Sequence, residues 1–115
     1  MKRIFILDDD RNRILLFEQW YQGYDLSIAI TADEAIDILS KRLDFDMITL
    51  DHDLGGEVYC SSDLPNSGYR VAKFLSTQKY KGLVVIHTHN PPGAQNMKSV
   101  LPNALIRPFQ PGRII

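Results

Sequence analysis

The sequence predicts a single α/β domain on a parallel sheet, and three observations carry that prediction. Short apolar runs rich in β-branched residues alternate with segments whose apolar residues recur at helical spacing. The links between them are short, so successive strands must be joined by right-handed crossovers and lie parallel under covering helices. At 115 residues and 44% hydrophobic content, the chain can bury one core and has no room for two, so residues 1–115 are read as one unit.

Taken in order, residues 2–7 read as a buried strand ended by Asp8-Asp9-Asp10, with Asp10 placed to cap the next helix. That helix runs over residues 11–22, with Ile14, Leu15, Trp20 and Tyr21 on one face and Gly23 as its stop. Residues 26–30 form the second strand. Thr31-Ala32-Asp33-Glu34 has the capping-box spacing, and Ala35, Ile36 and Leu39 continue one helical face. Residues 46–50 are the third strand, 67–76 a helix with Val71, Ala72 and Leu75 inward, and 83–86 the fourth strand. A helix over 95–101 and a short strand over 104–106 complete a flavodoxin-like, doubly wound, five-stranded sheet whose last helix is missing or truncated.

Composition excludes several roles. No apolar segment approaches bilayer length, and no helix-turn-helix, zinc knuckle or aromatic-basic RNA motif is present, so neither membrane insertion nor DNA binding is expected. The single cysteine, Cys60, forms no intramolecular disulfide, and the N-terminus turns acidic where a signal peptide would continue, which points to the cytoplasm. The net charge of −1 hides an asymmetry: all 14 acidic residues lie at or before Asp63, and only basic ones follow. Arg70, Lys73, Lys79, Lys81 and Lys98 are the candidates for contact with an RNA end, although a solvated helix face explains Arg70 and Lys73 equally well.

Three strands end in residues that bind metals or move protons: Asp8 and Asp9, Asp51, and His87. In open parallel sheets these ends converge on the ligand crevice. An aspartate before a helix ordinarily serves as a cap, but carboxylates gathered together repel unless a cation sits among them, and these suit Mg²⁺ or Mn²⁺. His52, between two carboxylates, and His87 are candidate proton donors or acceptors; His87 also suits a hydrogen-bonded structural role. A zinc site from His52, His87 and His89 lacks close-spaced ligand pairs beyond His87-x-His89.

The acidic pair, the strand-terminal Asp51, Thr88 after the fourth strand and Arg107-Pro108 after the fifth resemble a response-regulator receiver domain. The resemblance implies that Asp8, Asp9 and Asp51 bind Mg²⁺, that Asp53 lends the metal a backbone carbonyl, that Asp51 accepts a phosphoryl group and that Thr88 is a switch hydroxyl. Arg107 stands where the receiver lysine belongs, and the segment from Asp51 to Gly68 is longer than a receiver needs. LDHDLG, Gly68-Tyr69, His87-Thr88, Asn90-Pro91 and Gly93 resemble a narrower branch, the cyclic-phosphate processing receiver domains, over residues 4–97.

That branch implies a metal-dependent phosphoesterase or phosphotransferase acting on a cyclic phosphate at a nucleotide or RNA end. Asp51, His52 and His87 would be catalytic, while Thr88, Asn90, Arg107 and the backbone at Gly55 would hold phosphate. Either water or Asp51 itself is the attacking group. The alternatives are a stand-alone receiver phosphorylated on Asp51 by a histidine kinase and a non-catalytic binding module. The missing last helix also leads us to expect a homodimer, or a lid formed by residues 111–115.

Overall fold

A computed structural model describes residues 2–110. The elements follow as β1 (Arg3–Leu7), α1 (Arg11–Trp20), β2 (Asp25–Ala29), α2 (Ala32–Lys41), β3 (Met47–Leu50), α3 (Gly68–Ser76), β4 (Leu83–Ile86), α4 (Pro91–Val100) and β5 (Leu105–Ile106). All pairings are parallel, in the order β2-β1-β3-β4-β5. The order reverses between β1 and β3, so a crevice opens beyond their carboxyl ends. The central strand β3 is buried at all four positions, whereas the edge strands β2 and β5 are largely half-buried.

The caps explain where the helices begin. Asp10 accepts from the Arg13 N–H, Thr31 from that of Glu34, Ser67 from that of Arg70 and Asn90 from that of Gly93. Glu34 also reaches back to the Ile30 N–H, completing the expected box. Two boundaries differ from expectation by more than one residue. Helix α4 starts at Pro91 and not at Gln95, because Asn90 caps it and the prolines need no partner for their missing N–H groups in the first turn. Helix α1 ends at Trp20, before Gly23.

One face of the sheet packs Phe5, Leu7, Ile48, Leu50 and Ile86 against α2, α3 and α4. The other packs Ile4, Ile6 and Val85 against Phe17 and Tyr21, with Phe109 stacked on Trp20 at 5.2 Å. Among the described residues the second face carries only α1 and the segment around Phe109. The expected lid, residues 111–115, lies outside the described residues.

Candidate functional site

Strand β1 ends in Asp8, whose side chain is completely buried beneath the crevice. Such a carboxylate must be fully partnered, and it is. Its Oδ1 accepts from the Asp10 N–H at 2.9 Å and from Arg13 Nη2 at 2.9 Å. Its Oδ2 accepts from Arg13 Nε at 2.8 Å and pairs with His87 Nε2 at 2.9 Å. Burial alone would raise the Asp8 carboxyl, but the bonds from His87 and Arg13 outweigh it and bring the pKa down to about 2.

Arg13 ties this floor to Asp51 at the end of β3, reaching Asp51 Oδ2 with Nη2 at 3.1 Å. Among the described residues, Asp51 Oδ1 accepts only the His52 N–H, at 2.8 Å. Burial, with the neighbouring charge of Asp8, pushes the Asp51 carboxyl up against the pull of His87 and Arg13. Arg13 is itself held in the charged form, because the Asp8 and Asp51 carboxylates outweigh its burial. His87, at the end of β4, turns Nδ1 to the Thr49 hydroxyl at 2.7 Å, so both ring nitrogens have partners.

Above this floor lies a cleft of about 440 Å³ walled by Asp9, Asp10, Arg11 and Arg13 on one side and by His87, Thr88 and His89 on the other. Asp51 and Asp53 lie between them, and Gly56 to Tyr59 of the long loop close the end. Asp9 Oδ2 accepts the Gly56 N–H at 2.8 Å, which fastens that loop to β1. Tyr59 holds a left-handed backbone at φ 53°, uncommon for a bulky residue, and is pinned there by its N–H bond to Asp53 Oδ2 at 2.7 Å. Its ring and Val58 remain exposed at the rim.

The expected site residues therefore separate into two groups. Asp9, Asp51, Asp53, His87 and Thr88 reach the cleft, with Asp8 directly below it. His52 does not. It is fully buried, with Nδ1 on Asp53 Oδ1 at 2.9 Å and Nε2 on the Ser62 hydroxyl at 2.8 Å. Asn90 donates to Asp53 Oδ1 and the Cys60 carbonyl, while its own carbonyl caps α4. Gly55 is replaced at the cleft by Gly56, and Arg107 reaches the Ile106 carbonyl.

Of the cleft residues, Arg13 was not singled out from sequence, and His89 was weighed there only as a zinc ligand. Arg13 sits three residues after the Asp10 cap, a spacing that returns its side chain over the strand end. His89 lines the cleft and is exposed, with Nε2 at 2.6 Å from the Phe109 carbonyl. Three of the five basic candidates for an RNA end hold contacts elsewhere: Arg70 pairs with Asp33, Lys73 lies over the Tyr69 ring, and Lys98 donates to the Pro102 and Ala104 carbonyls. None of them lines the cleft.

The donor set fits a hard divalent cation. Asp9 and Asp51 present carboxylate oxygens to the cleft with acceptor capacity left after their bonds to Gly56 and to His52 and Arg13. Asp8 already takes four donors, so its charge acts on the site through Arg13 and His87. The zinc grouping of His52, His87 and His89, already disfavoured by its spacing, is not brought together. His52 lies with Asp53 and Cys60, and His87 with Asp8 and Asp51.

A family model, the cyclic-phosphate processing Receiver domain, matches residues 3–103. Among solved structures, the chain is similar to the response regulator protein TrrA from Thermotoga maritima in complex with Mg²⁺-BeF. Identity there is 22% and the TM-score 0.71, over 96% of this chain and 90% of that one. The chemotaxis protein CheY4 of Vibrio cholerae gives 22% and 0.69 over 96% and 89% of the two chains. A Burkholderia pseudomallei response regulator, with a phosphorylated aspartic acid, calcium ion and citrate, gives 20% and 0.71 over 96% and 62%. No curated protein matches the chain. At such identities the structural likeness is one of fold, and the family match, running from the first strand past the last helix, carries the assignment: the chain belongs to the cyclic-phosphate processing receiver domains.

Proposed function

We propose that the domain is a metal-dependent phosphoesterase that opens a cyclic phosphate at a nucleotide or RNA end, working from the cleft around Asp51. The observation that carries this reading is a cleft whose carboxylates outnumber its cations, walled by a hydroxyl and an exposed imidazole. A Mg²⁺ or Mn²⁺ ion held by Asp9 and Asp51, and by the Asp53 carbonyl that the family resemblance implies, would neutralise the non-bridging oxygens and acidify a bound water.

The chain's own residues supply the rest. The Thr88 hydroxyl accepts the Asn90 N–H at 3.2 Å, so its proton is available to a phosphate oxygen. A water oxygen bonds to phosphorus and gives up a proton to solvent, one P–O bond to the ribose breaks, and the leaving alkoxide takes a proton. His89 is the imidazole placed to deliver it, since His87 is held on Asp8 and Thr49. The exposed Tyr59 ring at the rim offers a surface on which a base stacks, which favours a nucleotide over bare phosphate. Asp51 either orients the water or attacks first, and the second route gives an acyl phosphate.

A second reading, phosphorylation of Asp51 by a histidine kinase, draws support from the fold; TrrA has been solved in complex with the histidine kinase ThkA. Phosphorus NMR separates the two. Incubated with a nucleoside 2′,3′-cyclic phosphate and Mg²⁺, the wild type should convert the cyclic resonance to a monoester, and chelator or Asp51→Asn should stop it. An unchanged cyclic resonance, with an acyl phosphate formed from acetyl phosphate, would establish the switch. Self-association through the α1 face of the sheet is part of this reading, and a monomer in sedimentation would remove it.

A further inference from the structure

We propose that Arg13 is a tethered counter-cation that competes with the divalent metal for Asp51, so that metal binding draws its Nη2 off Asp51 while its grip on Asp8 remains. The inference rests on the metal reading of the cleft given above.

The bonds Arg13 makes to Asp8 and to Asp51 differ in how readily they break. Asp8 is completely buried and holds Arg13 through two parallel contacts at 2.8 and 2.9 Å, the fork geometry that suits a guanidinium. Releasing Asp8 would leave a buried carboxylate with only His87 and one backbone donor. The contact to Asp51 is different. It is single and longer at 3.1 Å, it comes from the cleft side, and the Arg13 side chain is 28% exposed there. Because Nη2 serves both Asp8 Oδ1 and Asp51 Oδ2, Arg13 leaves Asp51 by pivoting about its Nε bond to Asp8 Oδ2.

Charge supplies the reason to pivot. Without metal, the guanidinium joins His87 in offsetting repulsion between the neighbouring Asp8 and Asp51 carboxylates. A divalent ion coordinated by Asp51 brings two positive charges to the same carboxylate, and a guanidinium within hydrogen-bonding distance then repels it. Arg13 thus keeps the empty site intact and weakens its affinity for metal. An arginine freed from Asp51 also faces the cleft, where phosphate arrives.

The test is calorimetric titration of Mg²⁺ into the wild type and into Arg13→Gln, with thermal melting to verify the fold. Arg13→Gln should melt lower without metal yet bind Mg²⁺ about tenfold more tightly, or about 1.4 kcal/mol, and gain more in melting temperature on saturation. Arg13→Lys, which keeps the charge without the fork, should fall between the two. In wild-type protein labelled with ¹⁵N, saturating Mg²⁺ should shift the Arg13 Nη resonances and leave Nε protected from exchange. Equal or weaker binding by folded Arg13→Gln overturns the inference while leaving the metal reading intact. Should that variant fail to fold, unmoved Nη resonances in the wild type overturn it instead. Binding by neither protein removes the metal reading and this inference with it.

Discussion

Two polar clusters flank the end of β3, assembled from neighbouring residues of one short stretch, and they have opposite characters. Asp51 faces the cleft, with Asp8, Arg13 and His87. His52 and Asp53 point their bonded atoms the other way, toward Cys60, Ser62 and Asn90. In the second cluster the accounts close: Asp53 takes bonds from His52, Asn90, Tyr59 and Cys60, which outweigh burial and lower its pKa, and both His52 nitrogens are satisfied. In the first cluster acceptor capacity and negative charge are left over, and the Asp51 carboxyl is pushed up. Residue type does not separate a reactive centre from a latch; the balance of donors against acceptors does.

The sharpest way to break that contrast is at Gly68, where β3's exit meets the start of α3. A Cβ there would lie 1.8 Å from the Asp51 carbonyl oxygen and 2.8 Å from His52 Cα, both backbone atoms. Gly68→Ala should therefore cost about 3 kcal/mol in urea unfolding and disturb both clusters together. His52→Ala should cost about 2 to 3 kcal/mol, because it removes one bond each from Asp53 and Ser62 and opens a hole beside Gly93. At a temperature where this variant is folded, its Mg²⁺ affinity should stay near that of the wild type. A lost metal site in a folded His52→Ala protein would merge the two clusters into one.

Acid should act on the cleft side. The Asp8 carboxyl falls from 3.8 to about 2 on folding, so its contribution is complete above about pH 4 and disappears as pH falls from about 4 toward 2. The loss should amount to about 2 kcal/mol, read as a steeper acid limb in the wild type than in Asp8→Asn. Base should act on the latch. Burial and the nearby Asp53 raise the Cys60 thiol to about 11, so stability should decline as pH rises from about 9 toward 11, and Cys60→Ser should flatten that limb. The smallest effect on stability is expected at His89. It is exposed and makes one bond to the Phe109 carbonyl, so His89→Ala should stay within about 0.5 kcal/mol while lowering turnover of the cyclic phosphate by about 100-fold.

The fold was legible in the sequence because its signals are local. Alternating runs, the capping box at Thr31 and the cap at Asp10 all act over a few residues. Asp8, Asp9, Asp51 and His87 could be placed because a strand end in a parallel sheet has one destination. The rest depends on side-chain direction. Nothing in LDHDLGG says that Asp51 and His52 part company, because their separation is set by a loop that folds back through Cys60 and Ser62 onto the histidine. Arg13 was hidden for a related reason: its partners Asp8 and Asp51 come from two strands, and only the assembled sheet brings both under one guanidinium. Asn90 and Arg107 were read as phosphate ligands; Asn90 bonds Asp53 and caps its own helix, and the exposed Arg107 places one guanidinium nitrogen on the Ile106 carbonyl.

The most direct test of the contrast counts bound Mn²⁺ by electron paramagnetic resonance in four proteins: wild type, Asp9→Asn, Asp51→Asn and His52→Gln. One ion in the wild type and in folded His52→Gln, with weak or no binding in the two aspartate variants, is the result this account predicts. Wild-type affinity in Asp51→Asn, or loss of the ion in a folded His52→Gln protein, would contradict it and move the centre of the site from the cleft to the latch.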